Sequence, residues 1–298
     1  MRESAPRITV LMPVWNGEAY LRESIESILR QTYAAFEFLI VDDGSTDSTP
    51  QVLADYARRD PRIRVISLPH RGIVHALNRG LEEAQSEWVA RMDCDDIAHP
   101  ERLSRQWQAV QGLPEAVLCH TQIEFFGDMR FVTRSARMVT TMGLTLLRLC
   151  HRCPVTHPTV MFRKAAVMAV GAYNPEERHA EDFGLWGRLI EIGDFVALED
   201  TLLKLRVHQQ SVSKQKAGGQ IEISQKIALD HCRQFMRLNE DEAFRALKTL
   251  RFEESSTWIL DWYWLMFHCL PRLRNQSLEL WAWALRKTML RISHSLFR

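Results

Sequence analysis

The sequence predicts an α/β fold, in which a mostly parallel, doubly wound sheet is followed by a helical C-terminal region. Strand-like and helix-like segments alternate over roughly the first 95 residues, as they do in βαβ units. Polar residues follow each predicted strand, at the edge where such sheets bind ligands. Beyond the candidate boundary at Gly218-Gly219 the chain reads as helix. We therefore expect one domain over residues 1–218 and a helical region over residues 219–298.

Four strands are predicted in the first part of the domain, because each segment is an apolar run rich in β-branched or aromatic residues. They cover residues 8–12, 36–41, 63–67 and 88–92, and Pro13 is expected to end the first. Helices are predicted between them, where apolar residues recur at helical spacing, at 19–31, after Ser45, and at 73–83. The carboxyl ends of parallel strands meet at one edge, so the polar clusters that follow them should converge there.

Beyond Pro100 the pattern is mixed. Helices are predicted over residues 102–111, 141–149, 164–170 and 181–192, and strands over residues 116–126, 129–139 and 157–162.

Composition excludes several classes of protein. The net charge of +1 gives no field that would favour nucleic acid. The six cysteines lack the spacing of a disulfide framework, and the N-terminus lacks a secretory signal, so a cytoplasmic location is expected. No run reaches the roughly 18 apolar residues of a membrane-spanning helix.

The most informative segment is the acidic run Asp93-Cys94-Asp95-Asp96, which directly follows a predicted strand. Its three carboxylates repel one another, and each costs free energy to desolvate. A hard divalent cation that bridges carboxylates to phosphates would relieve that repulsion. The alternative is a solvated acidic turn that caps the next helix.

Two further patterns have ordinary structural explanations when each is taken alone. Glu181-Asp182 opens a predicted helix, where acids are favoured by the helix dipole. Cys150 and Cys153 with His157 resemble half of a zinc site, but no second cysteine pair follows at a useful spacing.

Five segments in fixed order resemble glycosyltransferase family 2, whose fold is called GT-A: Val10–Gly17, Ile40–Asp47, Asp93–Asp96, Glu181-Asp182 and Arg206–His208. The resemblance covers roughly residues 7–214. It implies a nucleotide-binding half over about residues 1–100 and an acceptor half over about residues 101–218. It also implies an inverting, metal-dependent enzyme that moves a sugar from a nucleoside-diphosphate donor, expected to be a UDP-sugar, to an acceptor hydroxyl. The acceptor would belong to a cell-surface polysaccharide or a lipid-linked oligosaccharide.

The resemblance also implies residue roles. Asp182 is expected to be the general base, and Asp95 with His208 to hold Mn²⁺ or Mg²⁺. Asp42 is expected to accept a hydrogen bond from the base and Asp93 to contact the ribose. The remaining expected substrate contacts are Pro13, Val14, Asn16, Arg71, Asn78, Glu181 and Arg206. For Arg71 and Asn78 a structural role is equally open, and Asp96 is expected to cap or to support its neighbours.

The Gln-x-x-Arg-Trp signature of the processive members is absent, so transfer of one sugar per encounter is expected. Two other functions compete with this interpretation. A nucleotidyltransferase would need a Gly-rich phosphate loop after the first strand, where this chain has Pro13–Glu18. A non-catalytic sugar-nucleotide-binding protein would not need Asp182.

The C-terminal region is rich in Trp and basic residues. From Pro271 to the end, six Lys or Arg residues stand against one Glu. Such a segment suits contact with the inner face of the plasma membrane, or packing within the chain or in a homodimer. The sequence leaves both alternatives open.

Overall fold

The computed structural model describes residues 7–128, 142–208, 217–251 and 264–272. The predicted strand at 129–139 and most of the basic C-terminal segment lie outside these ranges. The chain divides into two compact units. The first comprises Met1–Met138 and Val155–Ala217, and the second comprises Val139–Pro154 and Gly218–Arg298. The second unit thus includes residues 139–154, which the sequence placed in the first domain.

The first unit is built on a sheet that contains all eight strands of the described residues, in the order β3-β2-β1-β4-β7-β6-β8-β5. The strands are β1 (Ile8–Val14), β2 (Phe36–Asp42), β3 (Ile63–Ser67), β4 (Trp88–Arg91), β5 (Ile97–Ala98), β6 (Ala116–Gly127), β7 (Met161–Arg163) and β8 (Asp194–Val207). Strands β3, β2, β1 and β4 run parallel, and β6 runs parallel to β8. β7 is antiparallel to both β4 and β6, and β5 is antiparallel to β8. The predicted mostly parallel α/β sheet is therefore confirmed.

The helices are α1 (Leu21–Leu29), α2 (Thr49–Arg59), α3 (Ile73–Glu83), α4 (Arg102–Val110), α5 (Met142–Leu149), α6 (Lys164–Ala169), α7 (Glu181–Leu189), α8 (Ala217–Met236) and α9 (Glu240–Arg251). In α1 the apolar positions Leu21, Ile25 and Ile28 are fully buried, as their helical spacing indicates. In the described residues, the predicted C-terminal helices are confirmed by α8 and α9. Within the described ranges, none of the helices has both the length and the apolar character needed to cross a bilayer.

Pro13 does not end the first strand, because β1 continues to Val14. The Leu11 carbonyl accepts from Met92 N on the β4 side (3.0 Å), and the Val14 carbonyl accepts from Asp43 N on the β2 side (2.9 Å). Residues two apart along a strand face the same neighbour, so Pro13 faces β4. Pairing with β4 has already ended there, and the missing N–H of proline removes no sheet hydrogen bond.

The second part of the domain departs further from the prediction. Residues His157–Thr159 form a 3₁₀ turn, and the strand begins only at Met161. Pro158 suits this turn, because its fixed φ matches the first positions of a helix. Helix α7 ends at Leu189 rather than at 192, since Asp194 N already bonds to the Glu115 carbonyl (2.7 Å).

Strands β5 and β8 were not predicted. β5 has two residues, which is too short for any period to show. β8 is long, but its pairing with β6 shifts register three times, and it carries Glu199, Asp200 and Lys204. Register shifts interrupt the alternation of apolar and polar residues by which a strand is recognised in sequence.

The second unit is helical in its described residues. His231 Nδ1 lies 2.8 Å from the Leu149 carbonyl, and Cys232 Sγ lies 3.1 Å from the Cys150 carbonyl. These contacts tie α8 to the end of α5.

Arg102 on α4 is fully buried, and its guanidinium donates to the carbonyls of Arg91 (2.7 Å) and Val160 (3.2 Å). We expect Arg102→Met to lower the free energy of unfolding by about 2–4 kcal/mol, because both acceptors lose a donor inside the core. Urea titration of the full chain measures the change. Arg105→Met is the matched control on the same helix, since the Arg105 side chain is 44% exposed. An equal loss in both variants would contradict the prediction.

Candidate active site

The loops after β1 and β2 are tied together by hydrogen bonds. Asn16 N donates to Ser45 Oγ (2.9 Å), and Thr46 N donates to Asn16 Oδ1 (2.8 Å). Asp42, at the end of β2, pairs in register with Val14 and accepts from Ser45 N (3.0 Å). The structure therefore brings Pro13, Val14, Asn16 and Asp42 together at one edge of the sheet.

Asp43 fixes the neighbouring turn. Its carboxylate accepts from Arg71 N (2.9 Å) and Gly72 N (2.8 Å) and pairs with His70 Nδ1 (2.8 Å). The turn needs Gly72, whose φ of 95° is unfavourable for residues with a side chain. The exposed Arg71 is thus held at the same edge through its backbone.

An aromatic pair at this edge was not predicted. The exposed ring of Trp15 stacks on His70, with centroids 4.5 Å apart and planes 20° apart. An aromatic residue in the loop after the first strand was the available signal, but its partner is 55 positions away in sequence.

Asn78 differs from the other expected donor contacts. Its Nδ2 donates to the Tyr173 carbonyl (2.8 Å), and its Oδ1 accepts from Tyr173 N (3.0 Å). Both ends of the amide therefore join α3 to residue 173, which is the structural role left open by the sequence.

The acidic run forms a compact cluster. Asp93, Asp95 and Asp96 each offer an oxygen within 4.8 Å of the others. Burial raises the pKa of Asp96 well above its usual range, and repulsion from Asp95 and Asp93 adds to the shift. The pKa of Asp93 is also raised, chiefly by burial, and Asp182 contributes through its charge. A bound divalent cation would relieve this repulsion, so the donor set fits such an ion.

Arg91 is the cation closest to this cluster in sequence, and sequence reasoning missed it. It is buried at the end of β4 and forms an ion pair with Asp93. Burial lowers the pKa of Arg91, but Asp93, with smaller contributions from Tyr173 and Asp96, more than offsets that effect, and the pKa is raised. Arg91 therefore stays charged and partly balances the carboxylates.

Two residues of β8 and the segment after it reach the same cluster. His208 Nε2 lies 3.0 Å from Asp95 Oδ2. Arg206 N donates to Asp96 Oδ1 (2.8 Å), and Arg206 Nε donates to the Asp95 carbonyl (2.8 Å). The structure thus brings both expected metal ligands, Asp95 and His208, into contact.

Glu181 and Asp182 are the first two residues of α7. Asp182 is half-buried, and its Oδ1 accepts from Phe183 N (2.8 Å). Its charge acts on both Asp93 and Glu181. Glu181 is buried, and its Oε2 has no hydrogen-bond partner in the described part of the chain. Burial and repulsion from Asp182 raise the pKa of Glu181 to about 7.

A buried pair of side chains, His157 and Tyr173, lies within electrostatic reach of Arg91. Sequence reasoning also missed this pair. His157 Nε2 lies 2.7 Å from the Tyr173 hydroxyl, and the Trp186 ring meets His157 edge-on. Burial lowers the pKa of His157 well below its usual range, and Arg91 adds to the shift. His157 is therefore neutral near pH 7.

A mostly parallel sheet with an acidic cluster after β4 and a carboxylate at the start of α7 defines a glycosyltransferase with the GT-A fold. The model of the family "Glycosyl transferase family 2" matches residues 9–171, which is more than half of the 298 residues. The chain belongs to this family, and the resemblance found in the sequence is confirmed.

Relatives support the same assignment. A glycosyltransferase of Haemophilus influenzae, itself uncharacterized, is 34% identical over 220 residues, or 72% of this chain and 81% of the relative. The amylovoran biosynthesis glycosyltransferase AmsE of Erwinia amylovora is 33% identical over 217 residues, with the same coverage of 72% and 81%.

Solved structures share the fold. TarS of S. aureus, in complex with UDP-GlcNAc, superposes with a TM-score of 0.65 at 20% identity, covering 84% of this chain and 74% of that one. The mannosyltransferase PcManGT of Pyrobaculum calidifontis, in complex with GDP-Man and Mn²⁺, superposes with a TM-score of 0.59 at 16% identity. The match covers 97% of this chain and 81% of that one.

The pKa of Glu181 predicts a pH-dependent stability. Its folded value of about 7 lies above the ordinary 4.5, so its contribution is fully present below pH 4.5 and is lost as pH rises through 7. We expect the free energy of unfolding of Glu181→Gln, relative to that of the wild type, to rise by up to about 3 kcal/mol between pH 4.5 and pH 8. Urea titrations at both pH values measure this gain. Glu124→Gln, at an exposed site on β6, is the control. A Glu181→Gln difference that does not change with pH would refute the prediction.

Proposed function

We propose that this glycosyltransferase moves one sugar per encounter from a nucleoside-diphosphate sugar, expected to be a UDP-sugar, to an acceptor hydroxyl, with inversion and with a divalent cation. One observation carries the proposal. Asp182, at the start of α7, acts through its charge on Asp93, which belongs to the acidic cluster. A proton acceptor and a cation-binding site therefore share one site.

The donor is assigned to the sheet edge after β1 and β2. Asp42 has a carboxylate that can accept a hydrogen bond from a nucleobase, and Val14 pairs with it in register. Pro13 and Asn16 would line the nucleoside, Asp93 would contact the ribose, and Arg71 and Glu181 remain proposed contacts. Two similar structures are complexes with UDP-GlcNAc and with GDP-Man, which supports a nucleotide-sugar here.

Asp95 and His208 would hold the cation, Mn²⁺ or Mg²⁺. Their side chains already converge, at 3.0 Å. When bound, the ion supplies Lewis-acid stabilisation of the leaving diphosphate. Arg91 opposes the rise in the pKa of Asp93 and orients its carboxylate, and Arg206 N donates to the carboxylate of Asp96.

Asp182 would act as the general base. It takes the proton of the acceptor hydroxyl as that oxygen bonds to the anomeric carbon. The bond from the anomeric carbon to the diphosphate oxygen breaks, and its electron pair leaves with the diphosphate. Attack from the face opposite the leaving group inverts the anomeric configuration.

Biological context comes from the relatives. AmsE is named for amylovoran biosynthesis, which supports an acceptor in a cell-surface polysaccharide or a lipid-linked oligosaccharide. We propose that the enzyme works at the cytoplasmic face of the plasma membrane. The basic, Trp-rich C-terminal segment would provide peripheral contact with the membrane, or with a second copy of the chain.

The base assignment predicts a separation of binding from chemistry. We expect Asp182→Asn to retain donor binding and to lose at least about 100-fold in transfer rate, because an amide cannot accept the hydroxyl proton. A panel of nucleotide sugars with Mn²⁺, read by released nucleoside diphosphate, identifies the donor first. Glu124→Gln serves as the control variant. Transfer by Asp182→Asn near the wild-type rate would show that another group is the base.

The membrane proposal predicts that the full chain floats with vesicles that contain anionic lipid but not with neutral vesicles. The reason is that Lys and Arg near an anionic surface gain electrostatic free energy. Added salt should release the protein. If the chain stays at the bottom of the gradient with both vesicle types, membrane contact is wrong, and light scattering then tests the dimer.

A further inference from the structure

The guanidinium of Arg206 lies against two aromatic rings. Its guanidinium carbon lies 4.4 Å from the ring centroid of Tyr20 and 4.4 Å from that of Phe126. The side chain is only 12% exposed. Stacking of this kind suits the planar guanidinium and holds it in one orientation.

The edges of the same guanidinium are also engaged. Nε donates to the Asp95 carbonyl (2.8 Å), and one terminal nitrogen pairs with Glu23 Oε2 (2.6 Å). The backbone N of Arg206 donates to Asp96 Oδ1 (2.8 Å). Arg206 thus donates to two consecutive residues of the acidic cluster, to Asp95 through its side chain and to Asp96 through its backbone.

His208 extends the same arrangement. Its ring lies 5.0 Å from the Tyr20 ring, so Tyr20 contacts both Arg206 and His208. Its Nε2 lies 3.0 Å from the Asp95 carboxylate. The contacts of Arg206 therefore fix the backbone of Asp95 and the strand that delivers His208.

We propose that Arg206 is a positioning residue, which makes Asp95 and His208 converge on one cation, and that it is not a ligand of the donor diphosphate. Two of its five N–H groups already donate, to the Asp95 carbonyl and the Glu23 carboxylate. The rings of Tyr20 and Phe126 also lie against the guanidinium, which leaves little room for a phosphate. This inference rests on the proposed function, because it takes Asp95 and His208 as ligands.

The test is the affinity for Mn²⁺ alone, read from the electron paramagnetic resonance of free Mn²⁺. We expect Arg206→Met to weaken binding about 10–100-fold, as loss of an outer-sphere partner of a metal site typically does. Arg206→Lys should also weaken it, because lysine cannot stack and donate in the same plane. At saturating Mn²⁺ the KM for the donor should stay near the wild-type value.

A diphosphate ligand would behave in the opposite way. Arg206→Met would then leave Mn²⁺ affinity unchanged and raise the donor KM even at saturating Mn²⁺. Either part of that result would overturn the inference.

Two control variants test whether the loss of Mn²⁺ affinity is specific to Arg206. Arg105→Met removes an exposed arginine that also pairs with two carboxylates, and it should leave Mn²⁺ affinity unchanged. Glu23→Gln should change it less than about 5-fold, because Glu23 is 59% exposed. If Arg206→Met does not fold, Tyr20→Leu and Arg206→Lys decide, since the inference requires both to weaken Mn²⁺ binding.

Asp95→Asn distinguishes this inference from the proposed function. If Asp95→Asn binds Mn²⁺ like wild type, the proposed metal site is wrong. If Asp95→Asn loses Mn²⁺ and the Arg206 variants do not, only the positioning role is wrong.

Discussion

The site depends on keeping three carboxylates close together against their mutual repulsion. Oxygens of Asp93, Asp95 and Asp96 lie within 4.8 Å of one another, and burial makes the repulsion more costly. Neighbouring groups hold the cluster: Arg91 pairs with Asp93, and Arg206 holds the turn. Such a cluster is costly for a protein that does not use it, since burial and repulsion raise the pKa of Asp93 and Asp96. The arrangement is understandable as a site built for a cation.

The sheet topology explains how distant residues reach this cluster. β4 ends at Arg91, two residues before Asp93, and β7 pairs antiparallel to it. From β7 the chain passes through Tyr173 to α7, and Asn78 anchors Tyr173 to α3. β8 then returns beside β6 and brings Arg206 to the acidic turn. A parallel half therefore supplies the cluster, and a mixed half supplies Asp182 and the groups that support it.

The parallel half could be predicted from the sequence because its strands are short, apolar and regularly separated by helices. β8 could not, since three register shifts remove its alternation. Asp42 and Asp95 could be identified as candidate site residues because each lies in a short motif that is contiguous in sequence. Their roles are proposals. Arg91 and the pair of His157 with Tyr173 were missed, because their significance lies in partners that only the folded chain brings near.

The motif that contains Arg206 marks it as a site residue but does not show which group its side chain binds. A cation near an expected diphosphate invites the interpretation that it binds phosphate, and sequence alone carries no information on what covers its faces. Tyr20 and Phe126 come from different parts of the chain, and both stack on it. Stacking and a directed Nε hydrogen bond use the planar shape and fixed donor directions that distinguish arginine from lysine. The surroundings of Arg206 therefore favour a residue selected for its shape.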